Sequence, residues 1–301
     1  MIRRNIPNTC LDVSSICLGT MNFGTPVGET EAIKLVHYAL NRGVNFIDTA
    51  NMYEGYSRVI GSAGGVAEEI LGKALVGRRD QVVLATKVGM KVGNEPEDEG
   101  TSPAAISKHL ELSLRRLATD FIDIYYLHKP DPKTPLVEIL SALEKVIRKG
   151  KVRYYGISNY SAQQLAELLS VAEANGLPRP VICQPPLSLL KQDVIVDLLP
   201  LCEREEMAVA PYQVLQGGLL TGKYRRGETI PPDSRKAEKS GWVWDLTDEL
   251  FYRLEEIEIQ AKNAGLTMTQ YSIRWVLSQP AVVAAILGVK RTGQLDEALA
   301  V

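Results

Sequence analysis

Eight short apolar runs, each followed by a stretch of helical periodicity, restrict the folds open to this chain more than any other feature. The runs are Ile16–Gly19, Val44–Ile47, Val82–Ala85, Ile122–Leu127, Tyr154–Ser158, Val181–Cys183, Met207–Ala210 and Ala284–Leu287. Most are apolar almost throughout, the pattern of parallel strands covered on both faces. Between them, Ile33, Val36 and Leu40 share a helical face, and Gly43 is placed to end that helix. Ser102-Pro103 supplies an N-cap and a first-turn proline ahead of Ile106, Leu110, Leu114 and Leu117. Ser161 with Gln164 makes a capping-box pattern before Leu165, Leu168 and Leu169. Helical patterns also cover roughly 66–76, 136–148, 191–203, 247–263, 267–278 and 292–299.

Eight strand-plus-helix units predict an α/β fold of the (β/α)8 TIM barrel type. A doubly wound open sheet alternates in the same way, but no G-x-G-x-x-G follows the first strand, which weighs against it. With neither a linker nor a low-complexity segment, one domain is expected over residues 1–301. The segment before Ile16 is expected to form an N-terminal β-hairpin closing the barrel bottom, and the helix at about 247–263 is extra to the eight units. The stretch 213–246 is too long for a simple connection and is expected to form a functional loop or lid.

Composition narrows the setting. At 301 residues and 45% apolar, the chain can bury a sizeable core without disulfides or metal. A net charge of -2 gives no general reason to expect nucleic acid or an anionic membrane as partner. No apolar run is long enough to span a bilayer, and the start lacks a leader pattern. Cys10, Cys17, Cys183 and Cys202 have no metal-type spacing and sit in apolar contexts, so reduced structural thiols in a cytoplasmic protein are expected.

In barrels of this type the active site lies at the C-terminal ends of the strands. There the second run leads into Asp48 with Tyr53 in the following loop, the third ("VVLATK") ends in Lys87, and the fourth ("IDIYYLHKPD") ends in His128. Singly, these residues read as a turn cap, a packing tyrosine, a solvated lysine and a satisfied histidine. On three adjacent strand ends they form a proton-transfer constellation. A free tyrosine keeps its proton up to a pKa of about 10, and a nearby ammonium lowers that value. Lys87 is expected to supply this charge, paired with Asp48, while His128 donates a hydrogen bond to a carbonyl oxygen. With no nucleophile–base pair and no metal cluster, carbonyl reduction fits and hydrolysis does not.

These segments resemble the aldo-keto reductase family, over nearly the whole chain. "FIDTANMY", "LATKVG" and "LHKPD" match its three catalytic segments in order and spacing. The resemblance implies Asp48, Tyr53, Lys87 and His128 as a catalytic tetrad, with Asp48 also at the cofactor. It implies NADPH (NADP+), with NADH as an alternative, held extended at the barrel mouth. "LGTMNFG" implies Gly19, Thr20 and Met21 near the nicotinamide ribose. "GISNY" implies Ser158 and Asn159 on the carboxamide, with Gln184 of "CQPP" beside them. "APYQVLQGGLLTGKY" implies Tyr212 stacked on the nicotinamide, and Gln213, Leu215, Gln216 and Gly217 along the pyrophosphate.

The last segment, "ILGVKRTGQLDEALA", also has a physical reading of its own. Thr292 is expected to N-cap the final helix, with Lys290 and Arg291 just before it, which makes an anion site. In the family register, Lys290 and Arg291, joined by Gln294, become the NADP-selective site, and Gly288 is a further cofactor-binding residue. The chain departs from the family pattern at Ala298, where Asn is frequent, and at Leu187-Ser188, where a Tyr-led pair is frequent. A glycine-rich enlargement after Tyr53, "YSRVIGSAGG", is expected to rim the substrate pocket, and the chain stops at Val301 where many relatives continue. Trp242 or Trp244 is a candidate pocket residue, and His37 and His109 read as surface or packing residues.

The expectation is an NADPH-dependent carbonyl reductase acting on a small aldehyde, ketone or sugar, with Tyr53 as general acid. One alternative is an NADPH-binding regulatory subunit with little turnover, as in the family's potassium-channel β subunits. Another is a Schiff-base aldolase using Lys87. Residue pattern does not identify the substrate or the oligomeric state.

Overall fold

A period-two alternation along eight parallel strands organises the molecule. The computed structural model describes residues 1–301. It opens with a hairpin, β1 (Arg3–Asn5) and β2 (Asp12–Ser14). The barrel strands are β3 (Ile16–Gly19), β4 (Phe46–Asp48), β5 (Val83–Val88), β6 (Ile122–Leu127), β7 (Val152–Ser158), β8 (Ile182–Gln184), β9 (Ala208–Val209) and β10 (Ala285–Leu287). They pair in the order β10-β3-β4-β5-β6-β7-β8-β9, all parallel. The two ends of this ladder meet. Val209 N–H donates to Ala281 O at 2.8 Å, and Val283 N–H donates to Val209 O at 2.9 Å. Ile286 N–H donates to Pro211 O, also at 2.9 Å, so the ring closes as the eight-unit pattern predicts.

Around the strands lie α1 (Glu29–Asn41), α2 (Val66–Ala74), α3 (Pro103–Arg116), α4 (Leu136–Arg148), α5 (Ala162–Ala174) and α6 (Leu198–Arg204). A short α7 (Arg235–Glu238) precedes α8 (Asp248–Asn263), α9 (Met268–Leu277) and α10 (Thr292–Leu299). Ser102 and Ser161 cap α3 and α5 as their spacing predicts. None of these helices is long and apolar enough to cross a membrane.

Along each barrel strand, one side chain in two points inward. Cys17, Phe46, Ala85, Tyr126, Ile182 and Ile286 fill the interior, while Leu18, Ile47, Leu84, Tyr125, Ile157 and Cys183 pack outward under the helices. Both faces are therefore buried, which is why the runs are apolar throughout. The hairpin adds Ile6, Leu11 and Val13 to the interior cluster, closing the bottom. Arg4 ties it down by donating to the carbonyls of Leu277 and Val282.

Some expected boundaries shift. The second strand begins at Phe46, not Val44, because Asn45 serves the hairpin. Its side chain accepts from Ser14 N–H at 2.7 Å and donates to Asp12 O at 2.8 Å. Asp48 thereby falls on the ladder, opposite Gly19 and Ala85, and Lys87 lies inside β5 opposite Tyr126. The pattern at 191–203 yields a helix only from Leu198, capped by Asp197. Pro200 has no N–H to donate and is tolerated only in a first turn. On α1 the buried face is Ala32, Leu35, Val36 and Ala39, with Ile33 and Leu40 at its edges. Of the four thiols, Cys10 is exposed and the other three are buried.

Tyr126 reaches across the barrel because β7 carries Gly156 opposite it. A Cβ on Gly156 would lie 2.5 Å from Tyr126 Cε1 and 2.8 Å from Ile182 Cγ2. Gly156→Ala should therefore destabilise the protein by about 1–3 kcal/mol, the usual range for overpacking a filled core. Denaturant unfolding of the variant, alone and with Tyr126→Leu, checks this: the double variant should recover part of the loss.

Candidate active site

The inward parity continues past the last filled layer to the C-terminal rim. Two residues beyond Cys17, Phe46, Ala85 and Tyr126 come Gly19, Asp48, Lys87 and His128. The same step from Gly156, Ile182, Ala210 and Ile286 reaches Ser158, Gln184, Tyr212 and Gly288. Each barrel strand thus delivers one residue to a single ring. All of them line one cavity of about 1090 Å3 except Lys87, which lies behind it.

Lys87 is the centre of this ring and is completely buried, with Asp48 only 2% exposed. Lys87 Nζ donates to Asp48 Oδ1 at 2.5 Å, to Thr49 O at 2.8 Å and to Tyr53 Oη at 3.1 Å. The other Asp48 oxygen accepts from Gln184 Nε2 at 2.8 Å, and its main-chain carbonyl accepts from Thr20 Oγ1 at 3.0 Å. Burial pushes the Lys87 pKa down, but the Asp48 carboxylate and Tyr53 push it up, and the net direction is upward. Lys87 is therefore an ammonium at neutral pH.

Tyr53 departs from expectation in one respect. Burial raises its pKa, Lys87 acts to lower it, Asp48 acts to raise it, and the net shift is upward. Desolvation outweighs the ammonium in the resting site, so Tyr53 is held firmly as a phenol. His128 stands edge-on to it, with ring centroids 6.0 Å apart and planes at 80°. Burial, then Lys87, Arg58 and Lys129, hold the His128 pKa well below its usual value, so the imidazole is neutral. Its Nδ1 is buried without a partner, leaving Nε2 for the cavity.

The other expected cofactor residues all border the same cavity. Gly19, Thr20 and Met21 follow β3, and Ser158 and Asn159 follow β7. Ser158 Oγ donates to Gln184 O at 2.9 Å, while Asn159 Nδ2 donates to His128 O at 2.8 Å and its Oδ1 accepts from Tyr212 Oη at 2.7 Å. Gln184 differs from the expected carboxamide contact in that its amide nitrogen is committed to Asp48. Beyond Tyr212, Gln213, Gln216, Gly217 and Gly218 all take left-handed conformations (φ 58, 45, 65 and 95°). These turns fold the main chain against the cavity, with the N–H groups of Gln216 and Gly218 donating to the carbonyls of Gln213 and Leu215 at 2.7 and 2.8 Å. Leu215 lines the same stretch, and Ser188 Oγ holds Gln216 Oε1 at 3.1 Å.

At the far end lie Gly288, Lys290, Arg291 and Gln294. Arg291, not Thr292, is the residue before α10, and no side chain caps the helix. Gln294 Oε1 accepts from Lys290 N–H at 2.7 Å, which shapes this turn. The stretch 213–246 arches across the cavity as a strap. Its Leu219, Leu220, Tyr224 and Val243 pack on Leu250, Leu254 and Met268 in a separate small core. Lys236 Nζ ties the carbonyls of Val243 and Trp244 together at 3.2 and 3.3 Å. Trp242 and Trp244 both border the cavity, as does Ala298.

Lys223, Arg235, Asn22 and Tyr56 also line the cavity; Tyr56 opens the loop expected at the pocket rim, and the other three carry no sequence signal of their own. Lys223 and Arg235 lie in aperiodic segments, "TGKY" and "DSRK", and only the folding back of the strap brings them to one wall. Burial and the neighbouring Lys290 lower the Lys223 pKa, the mark of a cation short of anions. Asn22 Nδ2 donates to Val289 O at 2.7 Å while its Oδ1 is buried without a partner.

From the enlarged loop after Tyr53, Tyr56 reaches the cavity and accepts from Arg235 Nε at 2.9 Å. Val59 and Ile60 stand exposed. Arg58 closes the loop, donating to Met52 O at 3.0 Å and Lys91 O at 2.5 Å beside the Glu54 carboxylate. His37 and His109 are packing residues, bonded through Nε2 to the carbonyls of Ala74 and Glu97.

The model of the Aldo/keto reductase family matches residues 15–301, all but the opening hairpin. A probable voltage-gated potassium channel subunit beta of Arabidopsis thaliana is 34% identical over 302 residues, covering 98% of this chain and 89% of that protein. An uncharacterized oxidoreductase of Bacillus subtilis (strain 168), YrpG, is 36% identical over 299 residues, covering 97% and 88%. The solved structure of glycerol dehydrogenase AKR11B4 from Gluconobacter oxydans matches with a TM-score of 0.81 at 31% identity, covering 99% of this chain and 89% of that one. On the extent of the family match and the identity shared along the chain, the protein belongs to the aldo/keto reductase family.

Proposed function

We propose that this nicotinamide-dependent oxidoreductase reduces small aldehydes or ketones, sugars among them, with NADPH, and that Tyr53 supplies the proton. The observation that carries this reading is the buried Asp48–Lys87 pair with Tyr53 Oη 3.1 Å from the ammonium at the cavity floor. When bound, the cofactor supplies hydride to the carbonyl carbon. The chain's own residues manage the oxygen. Neutral His128 donates a hydrogen bond that orients it, and Tyr53 gives up its proton as negative charge develops. Lys87 then stabilises the phenolate that Tyr53 becomes. Its attraction is weaker than desolvation in the resting site and gains effect only as that charge forms.

The donor set fits a dinucleotide. The cavity slightly exceeds the ~300–1,000 Å3 common for ligand pockets, leaving room for a cofactor and a small substrate. Ser158, Asn159 and Gln184 border the cavity beside Tyr53 and His128, Tyr212 offers an aromatic face, and the turn at 216–218 brings the main chain to the cavity wall. Lys223 and Arg235 add cations along the same path, and Lys290 and Arg291 are the candidates for a 2′-phosphate.

A second reading follows from the relative named as a potassium channel subunit: the same cofactor site would serve regulation with slow turnover. Retained NADPH binding with negligible reduction of every small carbonyl would favour it. A Schiff-base aldolase fits poorly, because a lysine whose pKa is raised by a carboxylate stays charged and cannot attack a carbonyl.

Tyr53→Phe should lower kcat for carbonyl-dependent NADPH oxidation by about 10²-fold or more, the scale of a lost general acid, while fluorescence titration shows NADPH still bound. Survival of full activity would sink the assignment. The pKa directions set the pH profile. His128 stays neutral well below its ordinary value of about 6.5, so reduction should hold through mildly acid pH. Tyr53 keeps its proton beyond the ordinary value of about 10, so activity should fall only above that pH. Arg58→Ala should loosen the loop that carries Tyr53, lowering kcat more than NADPH affinity, as steady-state kinetics with direct binding would report.

A further inference from the structure

Glu68 is a fully buried carboxylate on α2 that does not border the cavity. Thr86 Oγ1 donates to its Oε1 at 2.6 Å, and Arg116 Nη1, at the end of α3, donates to its Oε2 at 3.2 Å. Thr86, itself fully buried, precedes Lys87 on β5 and turns away from the barrel interior to meet α2. One residue before Glu68, Ala67 N–H donates to Tyr53 O at 3.0 Å, and Lys87 Nζ donates to Tyr53 Oη at 3.1 Å. These contacts close a circuit. It runs from Lys87 to Tyr53, from Tyr53 to Ala67, along the chain to Glu68, across to Thr86 and along the chain back to Lys87. Arg116 adds a branch, because its Nη2 donates to Ala63 O at 3.1 Å in the glycine-rich loop. A Cβ on Gly65 would stand 2.3 Å from Arg116 Cζ, so the guanidinium fills the space that this glycine leaves open.

We propose that Glu68 is a positioning residue for the reduction, holding Tyr53 at its distance from Lys87 from behind the cavity wall. The inference rests on the assignment of Tyr53 as the acid given above. Tyr53 lies in the long connection between β4 and α2. The barrel fixes the start of that connection, and its end is held only as firmly as α2 is held to the barrel. Ala67, Ile70, Leu71 and Ala74 pack α2 down, but apolar contact has no direction. The hydrogen bond from Thr86 to Glu68 does have direction, and it sets the register of α2 along the strand that carries Lys87. A buried carboxylate is costly where an apolar side chain could fill the same space. This one joins the Lys87 strand through one oxygen and the glycine-rich loop through Arg116 on the other. The loop that rims the pocket and the acid inside it are thereby tied to one point.

The test uses the full chain with Glu68→Gln and Thr86→Val, each made alone and together with Tyr53→Phe. Glu68→Gln leaves one side-chain oxygen, so Thr86 and Arg116 cannot both be satisfied, and Thr86→Val removes the hydroxyl while keeping its shape. Single-turnover oxidation of bound NADPH by glyceraldehyde reads the chemical step, and fluorescence titration reads NADPH affinity. Each single variant should slow the chemical step by about tenfold, part of the ~10²-fold that a displacement of about 1 Å can cost, with NADPH affinity and KM little changed. In the Tyr53→Phe background neither change should slow it further, because a residue that acts through Tyr53 then has nothing to position. Full rates in both variants, or the same slowing with and without Tyr53, overturns the inference while leaving Tyr53 as the acid. If the wild-type protein reduces no carbonyl, or Tyr53→Phe alone leaves the rate undiminished, the assignment of the acid fails and this inference with it. Retained NADPH binding shows that a variant is folded, and Thr86→Val carries the test if Glu68→Gln does not fold.

Discussion

A lysine ammonium with no solvent contact is the constraint on which the rest of this site depends. Removing such a charge from water costs several kcal/mol unless an opposite charge and full hydrogen bonding compensate. Here Asp48 supplies the charge, and the Thr49 carbonyl and Tyr53 hydroxyl take the remaining donors. Gln184 and Thr20 in turn hold Asp48. These partners come from β3, β4, the loop after β4, β5 and β8, so the pair is satisfied only when the ring is closed. The same geometry leaves one hydroxyl, that of Tyr53, between the buried ammonium and the cavity. Structural necessity and the proposed chemistry use the same hydrogen bonds.

That arrangement separates two roles that a simple tuning picture merges. If Lys87 merely lowered the Tyr53 pKa, the phenol would be partly ionised at rest and a poorer proton donor. Burial instead keeps it protonated, and the ammonium is strongest in effect when the proton leaves. The neutral His128 belongs to the same logic: a second cation beside Lys87 is disfavoured, so the imidazole remains free to donate one hydrogen bond and carry no charge.

Electrostatics at the opposite end of the cavity follows a different rule. There Lys290 and Arg291 pair with Glu238 and Asp233 of the strap, while Lys223 and Arg235 line the cavity without an ion pair. Positive charge gathered at this end of the cavity suits an anionic ligand. The tetrad is rigid because it is buried in the ring. The strap rests on a separate small core of its own.

The number and order of apolar runs and helical stretches determined the barrel and the convergence of Asp48, Lys87 and His128, because every strand end of such a barrel reaches the same rim. Strand limits needed tertiary contacts: Asn45 leaves its strand because Ser14 and Asp12 bind its amide. The sign of the Tyr53 shift also lay beyond the sequence, since charge pairs can be read from spacing but desolvation depends on what packs around the phenol. Lys223, Arg235, Asp233 and Glu238 were silent for the same reason. They lie in aperiodic stretches, and no local rule places them beside Lys290 and Arg291. Repeating local geometry is written in the order of residues; burial and the meeting of distant charges exist only once the chain has closed on itself.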